Sequence, residues 1–179
     1  EIVVHDPTSQ RLFTTSAVAG YLDIIDFSNP TNPSVISSVN INPYGGVTSV
    51  AVKNGIVAVA SPNADETLNG SVVFFDTNGT FLKQVTVGAL PDMITFSPDG
   101  TKVMTANEGQ PNVDYSVDPE GSVSIIDISG GIATLSQSNV TTLLFTAYNA
   151  QEAALIASGV RKLKLTSTLS QDFEPEYIT

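Results

Sequence analysis

The sequence predicts an all-β protein of the β-propeller class, and two observations carry that prediction. A strand-like hexapeptide occurs as Tyr21-Leu22-Asp23-Ile24-Ile25-Asp26, Ser71-Val72-Val73-Phe74-Phe75-Asp76 and Ser122-Val123-Ser124-Ile125-Ile126-Asp127, each copy behind a glycine (Gly20, Gly70, Gly121). The closing aspartates lie 50 and then 51 residues apart. Repeats of about 40 to 50 residues rich in short strands mark propeller blades, each a four-stranded antiparallel sheet. The β-branched runs and turn signals also recur too closely for a helical bundle. The expectation is about three such blades plus the first strand of a fourth, with one short helix after the third blade.

The first blade (1–42) is expected to run Ile2 to His5, Arg11 to Thr15, Tyr21 to Asp26 and Val35 to Ile41, with the proline-stiffened 28–33 connection before its last strand. The second (46–87) runs Val47 to Val52, Ile56 to Ala60, Ser71 to Asp76 and Phe81 to Val87. The third (91–136) runs Met93 to Ser97, Thr101 to Ala106, Ser122 to Asp127 and Ile132 to Leu135. Asn54-Gly55, Asn78-Gly79 and Asp99-Gly100 supply the positive φ that tight hairpins require. The remainder, 139–179, holds a helical insertion with Asn149 as N-cap, Glu152 at the capping-box position and Gly159 as stop, giving a helix of about three turns. Val160 to Leu165 adds an outer strand, and Pro175 to Thr179 starts the next blade. Continuous apolar runs such as Val72-Val73-Phe74-Phe75 imply strands covered on both faces.

The loops between second and third strands lengthen along the chain, from 16–20 to 61–70 to 107–121, and emerge on one face with the blade-to-blade crossings. That face collects Asp65, Glu66, Asp92, Glu108, Asp114, Asp118, Glu120, Asp172 and Glu174, and function tends to sit on loops held by a rigid scaffold.

Charge and composition exclude several function classes. With 18 acidic against 7 basic residues and a net charge of −11, the chain lacks the basic face that nucleic acid requires. It has no run of about 18 apolar residues, so no membrane insertion is expected. No cysteine and a single histidine, His5, leave no thiolate or multi-histidine metal site. His5 lies on the opposite face, outside any serine-based motif. Gly45-Gly46 and Gly130-Gly131 lack the strand–glycine–helix context of a phosphate loop and read as turns. Asn69-Gly70-Ser71, Asn78-Gly79-Thr80 and Asn139-Val140-Thr141 fit the glycosylation acceptor pattern.

The candidate site is the loop Ala106 to Ser122. Glu108, Asp114, Asp118 and Glu120 repel one another in so short a stretch, and oxygen ligands at irregular spacing suit a hard cation. Asn107, Glu108, Asp114, Asp118 and Glu120 are therefore the expected Ca²⁺ ligands; the plainer reading is a solvated loop closed by Asx turns. Asp65 and Glu66, with Asn63 and Asn69, form a second, weaker cluster. Asp26, Asp76 and Asp127 recur once per blade, which points to turn-closing architecture rather than chemistry.

Taken together, Gly46 to Gly55, Gly70 to Asp76, Gly88-Ala89-Leu90-Pro91-Asp92-Met93, Ala106-Asn107-Glu108-Gly109 and Asp118 to Asp127 resemble the choice-of-anchor I domain family over nearly the whole chain. The resemblance implies a bacterial extracellular or cell-surface protein with a YVTN-like β-propeller, of a family sometimes labelled alkaline phosphatase-like. Gln171 to Ile178 resembles the family's opening strand of a further blade. Because the chain begins at Glu1 in strand-like sequence, the expectation is a processed or excised piece, with any export signal lost upstream. A propeller of three blades would leave open edges, so the expected partner is the remainder of its own propeller or copies of itself. Two function classes follow: a non-catalytic structural or partner-binding module, with calcium as a candidate stabiliser, or a metal-dependent phosphoesterase whose acidic face clamps phosphate.

Overall fold

The computed structural model describes residues 2–179. Its strands form three four-stranded antiparallel sheets, each a meander in chain order. The first sheet holds β1 (Val3–Asp6), β2 (Arg11–Ser16), β3 (Tyr21–Asp26) and β4 (Ser34–Asn40). The second holds β5 (Ser49–Lys53), β6 (Ile56–Ser61), β7 (Asn69–Asp76) and β8 (Phe81–Ala89). The third holds β9 (Pro91–Phe96), β10 (Lys102–Asn107), β11 (Ser122–Asp127) and β12 (Val140–Leu144). The first strands β1, β5 and β9 lie side by side, so the sheets fan out from a common inner wall.

Turn chemistry fixes the register. Lys53 pairs with Ile56 across a two-residue turn in which Asn54 (φ 52°) and Gly55 (φ 78°) are both left-handed, the conformation that matches strand twist. The recurrent aspartates close the turns after each third strand: the Asp26, Asp76 and Asp127 carboxylates accept from the backbone N–H of Ser28, Asn78 and Ser129 at 2.9, 2.8 and 2.9 Å.

The core lies between sheets. Phe13, Leu22 and Ile24 of the first sheet pack on Val57, Val59, Val73 and Phe75. On the other side of the same second sheet, Ala58, Ala60, Val72 and Phe74 pack on Ile94, Val103 and Ile126 of the third. Neighbouring residues of β7 thus serve opposite interfaces, as its unbroken apolar run requires. In β11, Ser122, Ser124 and Ile126 are buried while Val123 and Ile125, on its other side, are only half-buried.

Five expectations need correction. Ile132–Thr134 forms a 3₁₀ turn rather than the third sheet's last strand, because Gly131 (φ 86°) diverts the chain; the fourth strand is β12, paired with β11. The helical insertion is shorter than three α-turns: Thr146–Gln151 is 3₁₀ and only α1 (Glu152–Ala157) is α-helical. Asn149 does not cap it, because both polar atoms of its side chain bond Ser170 at 2.9 Å. Val160 to Leu165 and Pro175 to Thr179 are not strands. A further short helix, α2 (Leu169–Asp172), opens with a capping box between Thr168 and Gln171 and buries Leu169 fully. Among the described residues no helix is long and apolar enough to cross a membrane.

Candidate functional site

The loop joining β10 to β11 rises from a closed neck. Glu108 and Gly109 donate their N–H groups to Leu90 O and Ala89 O at 2.9 and 3.1 Å. Gly109 (φ 69°) sits so near Glu120 that a Cβ there would come within 2.7 Å of the Glu120 carbonyl oxygen. At the tip Asn112 organises the chain: its N–H donates to Val117 O at 3.0 Å, its Oδ1 accepts from Val117 N–H at 3.1 Å and its amide donates to Ser116 Oγ at 2.9 Å.

The five expected calcium ligands do not converge. Asn107 is fully buried in the sheet; its Oδ1 accepts from Thr105 Oγ1 at 2.8 Å, and its amide donates to Ser122 Oγ at 3.1 Å and Ser124 Oγ at 2.9 Å. It has no atom left over for an ion. Asp114 closes an exposed turn by accepting from Ser116 N–H and Oγ at 3.1 and 2.7 Å. Asp118 pairs with Lys164 Nζ at 3.2 Å and accepts from Ser167 Oγ at 2.7 Å. Glu120 accepts from Ser170 Oγ at 2.9 Å. Among the described residues, no three acidic or histidine side chains are grouped as an ion would need, so these residues do not fit a single calcium cage.

Glu108 faces other carboxylates. Burial, then the charges of Asp92, Glu174, Glu176 and Glu66, push its pKa up to about 7. Burial also raises Asp92, with Glu176 adding to it, and raises Glu174, with Asp118, Asp172 and Glu176 adding. Asp65 of the second cluster closes its own turn, accepting from Thr67 N–H at 3.1 Å and Thr67 Oγ1 at 2.7 Å, and Asn63 donates to Asn69 O at 3.3 Å. His5 stacks edge-on against Phe27, with ring centroids 5.7 Å apart.

The arrangement makes a clasp whose other half, Tyr115, Lys162, Lys164, Ser170 and Phe173, was given no role by the sequence. Gly121 N–H donates to Ser170 O at 3.1 Å, Gln171 Nε2 to Asp118 O at 2.7 Å, and Lys164 Nζ lies 4.1 Å over the Tyr115 ring. Asp172 accepts from Leu163 N–H at 2.6 Å and Lys164 N–H at 3.3 Å. Lys162 pairs with Glu152 at 2.7 Å. Phe173 then wedges edge-on against Phe145 and Tyr148, at 5.7 and 5.9 Å. One signal for α2 was readable, since Thr168-Leu169-Ser170-Gln171 has the capping-box spacing.

Solved structures resemble this chain at low identity. Kuenenia stuttgartiensis hydrazine synthase matches at 16% identity and a TM-score of 0.58, over 72% of this chain and 34% of that one. A functionally unknown protein from Desulfotomaculum acetoxidans matches at 16% identity and a TM-score of 0.51, over 78% of this chain and 44% of that one. This chain thus spans less than half the length of either, and the likeness concerns the fold alone. No curated protein matches. The choice-of-anchor I domain model, by contrast, matches residues 1–179, so the chain belongs to the choice-of-anchor I domain family.

Proposed function

We propose that this chain is a non-catalytic extracellular or cell-surface β-propeller module with a structural or partner-binding role. The observation that carries the reading is how the carboxylates of the longest loop are used. Asp118 and Glu120 are engaged by Lys164, Ser167 and Ser170 from a segment 46 to 50 residues further along the chain. These acids tie loop to scaffold, which is architectural work. Membership of a choice-of-anchor family, rather than a known enzyme family, supports the same side and suggests display at the cell surface.

The ring is completed, in this reading, by the remainder of the polypeptide or by further copies. The outward side of the third sheet supports it: Met93, Met104, Val123 and Ile125 are half-buried there, and Leu143 is exposed, a surface suited to another blade. A phosphatase assay on the full-length protein, with and without EDTA, tests the assignment. No EDTA-sensitive turnover is expected; robust metal-dependent hydrolysis would establish the phosphoesterase instead.

A further inference from the structure

The limb Gln110–Val113 stands between two hollows. One, of about 460 Å³, lies between this limb and the second sheet's loop and is lined by Ala64, Asp65, Glu66, Pro111 and Val113 among others. The other, of about 250 Å³, lies on the limb's opposite side and is lined by the limb itself, Tyr115 and Glu174. Between them Val113 is fully exposed. Among the described residues, no lysine or arginine lines either hollow.

We propose that this double hollow docks an extended polypeptide segment with an apolar residue seated at Pro111 and Val113 and a basic side chain on either side of it. The inference rests on the partner-binding reading above and names the chemistry of the partner. Charge complementarity decides that chemistry. Asp65 and Glu66 flank the apolar limb on one side and Glu174 on the other, on a chain of net charge −11. Asp65 already accepts from Thr67, but an acidic or purely apolar segment would desolvate Glu66 and Glu174 without a counter-charge, whereas lysine or arginine pairs with them and steers the encounter.

The limb is also rigid before any partner arrives. Asn112 holds both sides of the tip through Val117 and Ser116, and Tyr115 N–H donates to Asn112 O at 2.9 Å. Lys164 stacks on Tyr115 while paired to Asp118, which pins the tip to the clasp. A preformed site loses little freedom on binding.

Isothermal titration on the full-length protein tests this with two synthetic peptides, acetyl-Ala-Lys-Leu-Lys-Ala-amide and its glutamate counterpart. The lysine peptide should bind and weaken as salt rises, and the glutamate peptide should not. Val113→Ser, and separately Glu66→Gln combined with Glu174→Gln, should each weaken binding at least fivefold. Val18→Ser, at an equally exposed valine far along the face, should leave it unchanged. Equal binding of the two peptides, or wild-type binding by both groove variants, overturns the proposal. Melting curves of each variant confirm that the fold is kept. The phosphatase assay reads the underlying assignment separately, so a silent groove and an unexpected hydrolase give different results.

Discussion

The carbonyl oxygen of Phe173 lies where a side chain on Gly121 would have to go, and the Pro175 ring follows within 2.7 Å of the same point. The C-terminal segment thus crosses directly over the entry to β11, and only glycine admits it. Gly121→Ala should displace that segment, at a cost of about 1–3 kcal/mol typical of overpacking. Hydrogen exchange should show faster exchange at 169–173 with β7 unchanged; unaltered protection there would contradict the prediction.

Asn107→Ala should be more damaging than its size suggests. The amide serves Thr105, Ser122 and Ser124 in a fully buried position, so three hydroxyls lose a partner. A loss of about 1–3 kcal/mol per unsatisfied group sets the scale. Urea denaturation measures it, and a loss under about 1 kcal/mol would show that water replaces the amide.

Stability should fall as pH rises from 5 to 8. Glu108 has its pKa raised from an ordinary 4.5 to about 7, first by burial and then by Asp92, Glu174, Glu176 and Glu66. A carboxyl with a raised folded pKa is bound to its proton more tightly in the native state. Its penalty is absent below about 4.5, develops as pH rises toward 7 and is complete above it. Glu108 is only half-buried, so solvent screening holds the effect to about 1 kcal/mol. Glu108→Gln should flatten the melting temperature between pH 5 and 8; an unchanged slope would remove Glu108 from the account.

At the acid end the sign reverses. Hydrogen bonds from the Ser97 side chain and then from Thr101 hold Asp99 down to about 2, and bonds from Ser28 and Ser129 lower Asp26 and Asp127. These carboxylates contribute stability above their unfolded values that is lost as pH falls through the folded ones. Melting temperature should therefore drop steeply below about pH 4. Asp76→Ala, which takes the acceptor from both Asn78 and Thr80 N–H at 2.8 Å, should cost about 1 kcal/mol at neutral pH. A melting temperature equal to wild type would refute it.

The repeat was legible because it is local. The period of the aspartates, the Asn54-Gly55 turn and the limits of β11 all follow from short-range pattern, and the structure places them as expected. Asp26, Asp76 and Asp127 were legible as turn closers for the same reason. The candidate site was not, because its partners are distant in sequence. Asp118 finds Lys164 and Glu120 finds Ser170, so carboxylates that look mutually repelled in the chain are answered by a segment that no spacing rule connects to them. Asn149 looked like a helix cap by its position but is claimed by Ser170. The strand expected at Ile132 to Leu135 had the right apolar content but lay behind Gly130-Gly131, which turn the chain before pairing resumes at Val140.

The double-sided strand β7 also bears on how the molecule comes apart. Val72 belongs to one interface and Val73 to the other, so a disturbance of the first sheet reaches the third through a single peptide bond. The described sheets cannot loosen one by one: releasing either outer sheet strips one face of the middle one, which then holds its remaining neighbour less firmly. Heat should therefore dissolve all three in a single transition, with the amides of β7 the last to exchange.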